Sequence, residues 1–158
     1  MRQWLERRSR TAGCLVLLAV TLGFLLWPVP FARFTHADQA ATFDVYEIPR
    51  EISAPVTAAQ LSRAEIAPLL DVLEGAHVGF RGFERAVPQE EGQRLFSLSF
   101  FREAEQGQEV QTADFFLRSD GALYGSSRLW GYARYQLTGF DWDAFAAAWD
   151  RLPGMAGE

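Results

Sequence analysis

The chain has 158 residues, enough for one domain of ordinary size, and 49% of them are hydrophobic, a share typical of globular rather than disordered proteins. Residues 1–37 contain five arginines and one glutamate, whereas residues 38–158 contain ten arginines and nineteen acidic residues, a net charge of −9. Because so acidic a domain offers no cationic surface to phosphate groups, composition excludes nucleic acid as a partner.

The first 27 residues predict a membrane signal anchor. A basic end at residues 1–10 precedes an uncharged, mostly apolar run at residues 11–27. As a helix, this run reaches about 26 Å, near the lower limit for crossing a bilayer core. The arginines favour a cytoplasmic N-terminus, with the C-terminal domain outside the membrane. The alternative is a signal peptide that is cleaved after Ala37, which would leave a secreted or periplasmic protein.

The pattern along the chain predicts a simple domain plan. It consists of a basic end at 1–10, a transmembrane anchor at 11–27, a tether at 28–42, one extracytoplasmic domain at 43–153 and a tail at 154–158. The only cysteine, Cys14, lies within the apolar run, so the outer domain has no disulfide.

The first predicted helix of the outer domain has a clear beginning and end. Ser62 and Glu65 have the spacing of a capping box, in which each side chain bonds a backbone N–H that the first turn leaves free. Apolar residues follow at helical spacing until Gly75, a typical end residue. Gly79 and Gly82 then predict a loop.

The rest of the domain predicts a strand meander and a closing helix. Strands are expected at residues 43–48, 94–102, 109–118, 122–124 and 128–138. The pair Asp120-Gly121 favours a type I′ hairpin turn, and Asp141 is a good N-cap for a one-faced helix that ends near Leu152. This order predicts an α+β fold, with two helices packed on one face of an antiparallel sheet in two layers.

Two segments carry a resemblance to a known class of domain. "FFLRSDGALYG" combines a phenylalanine-rich strand with an Asp-Gly turn, and "GYARYQLTG" is a strand with tyrosines. With the preceding capped helix and the closing helix, this pattern over residues 45–152 resembles small extracytoplasmic domains of unknown function in bacterial lipoproteins and signal-anchored proteins. The resemblance implies fold and compartment, but no active site, and the lipid-bearing cysteine of the lipoprotein members is absent.

Candidates for catalysis or metal binding are few. His77 could act as a base or a ligand, but zinc binding there would require carboxylates, because the outer domain has no cysteine. The acids form three groups, which are Glu90 with Glu91, Glu103 with Glu105 and Glu109, and Asp141 with Asp143 and Asp150. Their positions in predicted loops and at a helix favour solvated surface. No phosphate loop or dinucleotide fingerprint is present, so no cofactor is predicted and an enzyme is the less favoured class.

Asp114 differs from the other acids because it lies within a predicted strand. A carboxylate between apolar neighbours favours a structural ion pair across the sheet. The expected partners are Arg102, Arg118 and Arg134.

The strand at residues 128–138 carries the strongest candidate binding surface. One of its faces is apolar, and the other contains Arg128, Trp130, Tyr132 and Arg134. Trp, Tyr and Arg are enriched at interface hot spots, whereas a buried second layer is the structural alternative. We therefore expect a membrane-tethered binding or regulatory module that contacts another protein of the bacterial envelope. The alternative function is an envelope hydrolase that uses His77 and a nearby carboxylate.

Overall fold

A computed structural model describes residues 13–21, 23, 27–49, 58–103, 108–127 and 131–155. Its strands are β1 (Val29–Pro30), β2 (Thr42–Ile48), β3 (Ala58–Ser62), β4 (His77–Glu84), β5 (Leu95–Glu103), β6 (Glu109–Arg118), β7 (Ala122–Ser127) and β8 (Gly131–Thr138). The helices of the domain are α1 (Phe31–Thr35), a 3-10 helix (Ala37–Gln39), α2 (Arg63–Glu74) and α3 (Trp142–Trp149). Residues 13–21 are also helical.

The eight strands form one antiparallel sheet. Their order across it is β1-β4-β8-β7-β6-β5-β2-β3. Strands β5 to β8 form a meander, which β4 and β2 extend on its two sides. The strands occupy much more of the described chain than the helices do, so the fold is dominated by the sheet.

The predicted fold class, an α+β domain behind a transmembrane helix, is therefore wrong. The main reason is that residues 29–30, predicted as tether, and residues 77–84, predicted as loop, pair with the sheet. Residues 77–84 form β4 despite their glycines, because Val78 and Phe80 point into apolar surroundings and a bulge between Phe80 and Gly82 absorbs the irregularity. Gly82 takes a φ of 145°, which favours glycine.

The anchor prediction falls partly on residues that the structure does not describe. Residues 1–10 lie outside the described chain, as do six positions within 11–27. In the parts that are described, no helix combines the length and the apolar character that crossing a membrane requires.

The core lies between one face of the sheet and the helices. Phe96 on β5 makes ring contacts with Trp142, Phe145 and Trp149 of α3, with centroids 5.4, 5.4 and 4.5 Å away. Helix α2 contributes buried aliphatic residues to the same cluster, which are Ile66, Leu69 and Leu73. Alternate residues of the central strands therefore face away from the helices and form a second, separate surface.

Both predicted helix starts are confirmed. The backbone N–H of Ser62 donates to Glu65 Oε2 at 2.8 Å, and the reciprocal half of the capping box is present. Asp141 Oδ1 accepts a hydrogen bond of 3.0 Å from the backbone N–H of Ala144. These local signals are reliable because the partners are only three residues apart.

The predicted hairpin turn is present, but its type differs. Gly121 has a φ of 82°, whereas Asp120 does not adopt the positive φ that a type I′ turn requires. The N–H of Gly121 bonds the carbonyl of Arg118 at 2.9 Å, and the Asp120 carboxylate accepts from the N–H of Ala122. The aspartate thus serves as a hydrogen-bond acceptor within a longer loop.

Residues 29–39 pack closely against the sheet. Strand β1 pairs with the start of β4, and α1 places Phe31 in the core, where it is 1% exposed and contacts Phe100. Thr35 and Ala37 are also buried. Cleavage after Ala37 would remove all three side chains from the domain.

Replacing Phe31 should therefore destabilise the domain. We expect Phe31→Ala in the full-length chain to lower the free energy of unfolding by about 3–5 kcal/mol, because it leaves a large cavity. Arg33→Ala, an exposed change in the same helix, should stay within about 0.5 kcal/mol of the parent chain. Denaturant titration followed by tryptophan fluorescence measures both. Equal stability of the two variants would contradict this role of Phe31.

Candidate functional site

The structure describes two of the four residues of the predicted binding face. Arg128 and Trp130 lie outside the described residues. Tyr132 and Arg134 are half-buried on β8 and lie on the sheet surface that faces away from the helices. The Tyr132 ring contacts Phe116 edge-on, with centroids 5.8 Å apart. The sheet surface that faces away from the helices is therefore the candidate binding site.

Arg134 belongs to a line of cross-strand neighbours on this surface, which we call the polar row. Successive register pairs join Tyr46 to Ser97, Ser97 to Phe116, Phe116 to Tyr124, and Tyr124 to Arg134. The row crosses five adjacent strands, from β2 to β8. Directly opposed residues lie within side-chain reach of each other, so the row forms one continuous surface.

Three polar atoms of the polar row are buried and have no hydrogen-bond partner in the described part of the chain. They are Ser97 Oγ, Tyr124 OH and Arg134 Nε. Ser97 is 1% exposed and Tyr124 is completely buried. An unpaired buried polar group typically costs about 1–3 kcal/mol, and folded proteins contain few of them. Three in one row therefore distinguish this surface from the rest of the sheet, and a partner of complementary chemistry would satisfy them.

The chemistry of these atoms restricts that partner. Arg134 Nη1 already donates to Glu84 Oε1 at 2.8 Å, so the guanidinium edge that includes Nε is the one left over. An arginine N–H can only donate, whereas the two hydroxyls can donate or accept. Oxygen atoms of a ligand that accept hydrogen bonds can therefore pair with each of these groups.

Tyr124 lies among charged groups. Burial raises the pKa of its phenol above the ordinary value, while Arg118 and Arg134 act in the opposite direction and Glu84 and Asp120 add to the rise. The guanidinium carbon of Arg118 is 6.0 Å from the centre of the Tyr124 ring. The phenol therefore remains neutral and is able to donate at physiological pH.

Arg118 is the most deeply buried charge of this surface, since the residue is 3% exposed. Its Nε and Nη2 bind the two oxygens of Asp120 at 2.9 and 2.6 Å, and its Nη1 binds Glu90 Oε1 at 2.7 Å. The hydrogen bonds to Asp120 are the main cause that raises the pKa of Arg118, and in return they lower the pKa of Asp120. The cation is thus fully paired in this state.

The connection at residues 85–94, which we call the covering loop, lies over the edge of this surface. Its residues Pro88, Gln89, Glu90 and Gln93 line a small cavity of about 20 Å³ together with Ile48, Leu95 and Arg118. Ile48, Leu95 and Arg118 are consecutive register partners, two residues along each strand from the polar row. The loop therefore covers the row of side chains next to the unpaired atoms.

Pairing and side-chain contacts fix both ends of the covering loop. At its start, Glu84 pairs with Tyr132 in the ladder between β4 and β8 and accepts from Arg134 Nη1 at 2.8 Å. At its end, Arg94 makes two hydrogen bonds to Glu47, at 2.8 and 2.7 Å, and lies 5.0 Å from the Phe96 ring centre. The middle depends on Glu90 and on a hydrogen bond from Ser119 to Gln93.

The other predicted candidates are not gathered into a catalytic group. His77 is exposed at the start of β4, and the structure gives its imidazole no ion pair with a described carboxylate. Across the described ranges, no three histidine, cysteine or acidic residues are placed to hold a metal ion. Asp114 accepts from Ser99 Oγ at 3.0 Å, so the expected ion pair with an arginine is replaced by a hydroxyl contact.

The sequence pattern did not indicate Ser97 or Tyr124, which the structure aligns with Arg134. Ser97 alternates with phenylalanines in its strand, a pattern typical of a solvated face. The one indication in the sequence is Tyr124 itself. It lies in a short strand between two turns, where the hydroxyl of a tyrosine suggests a hydrogen bond in addition to packing of the ring. Only the register shows that these residues share one row.

Comparisons with known proteins give no assignment for this surface. No protein-family model, curated protein or solved structure matches the chain. The resemblance to extracytoplasmic domains therefore stays a prediction, and functional inference depends on the geometry of the site.

Removing the Tyr124 hydroxyl should stabilise the ligand-free protein. We expect Tyr124→Phe to raise the free energy of unfolding by about 1 kcal/mol, since an unpaired buried hydroxyl disappears while the ring remains. Thr35→Val is the matched control, because the Thr35 hydroxyl is buried but donates to the Phe31 carbonyl at 2.9 Å, and its loss should destabilise by about 1 kcal/mol. Denaturant unfolding measures both. Destabilisation by Tyr124→Phe would reveal a partner such as an ordered water.

Stability should also fall at alkaline pH. Burial raises the pKa of Tyr124 and of Tyr135 above the ordinary value of 10.0. The folded state therefore holds these protons more tightly, and the stabilisation present below pH 10 is lost as pH rises through the raised values. Unfolding experiments between about pH 8 and about pH 11 should show this decline. The double variant Tyr124→Phe/Tyr135→Phe should decline less steeply, and an unchanged slope would contradict the assignment.

Proposed function

We propose that this protein is a non-catalytic binding or regulatory module of the bacterial envelope, which contacts another protein through the polar row and the adjacent part of β8. The observation that carries the proposal is the alignment of Ser97, Tyr124 and Arg134, each with a buried polar atom that lacks a partner. Such atoms favour a surface that is completed by a second molecule.

The composition of the surface supports a protein partner. Tyr46, Phe116 and Tyr132 accompany Arg134, and tyrosine and arginine are enriched at interface hot spots. The Arg134 cation is paired with Glu84, so the surface is locally close to neutral. A surface of this kind contacts a partner by hydrogen bonds and aromatic packing rather than by net charge.

The N-terminal sequence supports the proposed location of the domain outside the cytoplasm. A basic end followed by the apolar run at residues 11–27 favours attachment to the membrane and export of the following domain. The absence of cysteines after Cys14 is compatible with either compartment. We propose that residues 11–27 hold the domain at the outer side of the cell membrane.

The hydrolase alternative requires His77 and a carboxylate in one site. No observation of the described residues favours it, because His77 lies at the start of β4, outside the polar row. The binding module is therefore the better supported proposal.

Copurification from membranes tests the proposal. The full-length tagged chain should retain a specific envelope protein after mild detergent extraction. Arg134→Ala should reduce its recovery at least about tenfold, the effect of losing one interface hot spot. Arg102→Ala is the matched control, because it removes an exposed arginine at the end of β5 and should leave recovery unchanged.

The two variants must be compared at equal folding. Their thermal melting curves should both remain close to that of the parent chain. Equal loss of the partner in both variants, or retention in both, would contradict a role of the polar row in binding.

A further inference from the structure

Glu90 is bound to Arg118 as a ligand carboxylate would be. Arg118 uses Nε and Nη2 for Asp120, a neighbour two residues away on the same hairpin, and offers Nη1 to Glu90. The Glu90 side chain is 58% exposed, whereas that of Arg118 is 4% exposed. The bond thus joins a buried cation to a carboxylate that solvent reaches easily.

The covering loop is fixed at its ends and exposed in its middle. The Arg134–Glu84 pair and the Arg94–Glu47 pair hold the two ends. Between them, Glu90 is exposed, as are the neighbouring Gln89 and Glu91, and the cavity beneath has only about 20 Å³, room for about one water. Because Arg118 is buried, it needs an anionic partner, but the exposed Glu90 can give up this position to another carboxylate without leaving the cation unpaired.

Behind this contact lie donors that have no partner. The row of Arg118 is adjacent to the polar row, and Arg118 lies against the Tyr124 ring. Displacement of Glu90 would leave Arg118 Nη1 free on the same face as the unpaired Tyr124 hydroxyl and Arg134 Nε, and both arginines are close enough to the Tyr124 phenol to act on its pKa. All three can donate, which suits the oxygens of one acidic group and its neighbouring carbonyls.

The charge balance favours a carboxylate over other acceptors. Arg118 with Asp120, and Arg134 with Glu84, are two balanced pairs, and Glu90 adds one negative charge. A ligand carboxylate that replaces Glu90 keeps this charge constant. A phosphate would add negative charge beside Asp120 and Glu84, and a neutral ligand would leave Arg118 incompletely paired.

We propose that Arg118, Tyr124 and Arg134 bind a carboxylate of the partner protein, and that Glu90 of the covering loop occupies this position in the unbound chain. The inference rests on the proposed function and specifies the chemistry of its partner. The carboxylate belongs to an acidic side chain or to a chain terminus, and both present the same two oxygens.

Peptide binding to the full-length protein in detergent tests the inference. The probes are three unlabelled, N-acetylated peptides followed by isothermal titration calorimetry, which are Ala-Ala-Ala with a free C-terminal carboxylate, Ala-Glu-Ala amide and the neutral Ala-Gln-Ala amide. We expect Glu90→Ala to bind at least one acidic peptide about fivefold more tightly than the parent chain, because a competing ion pair is removed. The neutral peptide should bind neither protein. The first two peptides separate the two sources of the carboxylate.

Two variants control for nonspecific charge effects. Glu91→Gln removes a neighbouring exposed carboxylate outside the contact with Arg118 and should leave the affinity unchanged. Tyr124→Phe in the Glu90→Ala background should weaken binding at least about threefold, the effect of one lost hydrogen bond. If Glu90→Ala does not fold, Glu90→Gln provides the test, because its amide keeps the shape but loses the charge.

Equal affinity of the parent chain, Glu90→Ala and Glu91→Gln, or equal binding of the neutral peptide, would overturn the inference. If the envelope partner is still recovered in that case and is lost in Arg134→Ala, the proposed function remains and only the carboxylate assignment fails. If the peptide affinities are equal and Arg134→Ala also leaves recovery of the envelope partner unchanged, both proposals fail.

Discussion

Burial of both faces of β5 is the constraint on which the rest of the structure depends. Residues 95–100 are buried without interruption, although serines alternate with phenylalanines and leucines along them. The apolar side chains have an obvious partner in the helices, where Phe96 meets three aromatic rings of α3. The polar side chains need a different cover, and hydroxyl groups in that environment require hydrogen bonds. The face of the sheet that contacts the helices is therefore fully packed. On the opposite face, polar atoms of the polar row lack hydrogen-bond partners among the described residues.

Two arginines organise the incomplete face. A third, Arg94, lies on the helix side of the sheet, where it joins the start of β5 to Glu47 on β2 and packs over the aromatic cluster. Arg118 connects the covering loop to the hairpin between β6 and β7. Arg134 connects β8 to β4 through Glu84. Arg118 and Arg134 thus lie at different boundaries of the same surface, and because each is paired with acidic residues, the surface has little net positive charge.

Much of the local structure could be predicted from the sequence, whereas its assembly could not. The strand at residues 109–118 and the caps at Ser62 and Asp141 depend on neighbours in sequence, and these predictions are confirmed. The fold class was wrong because β4 contains glycines that normally indicate a loop, and only pairing with β8 explains their place in a strand. The partners of Asp114 and of the arginines depend on register, which alternation alone does not specify. For the same reason, the alignment of Ser97, Tyr124 and Arg134 was not visible before the strands were placed.

The bulge in β4 also affects the unpaired edge of the sheet. Among the described residues, β1 pairs with only Val78 and His77 of this strand, so the outer hydrogen-bonding groups of the following residues have no neighbouring strand. Unprotected margins of this kind favour addition of a strand from another molecule and hence aggregation. At the bulge between Phe80 and Gly82 the strand bends, and a straight incoming strand would lose its hydrogen bonds there after a few residues. The bulge made β4 difficult to predict from the sequence. In the folded chain, it opposes edge-to-edge association of β4 with a strand of another molecule.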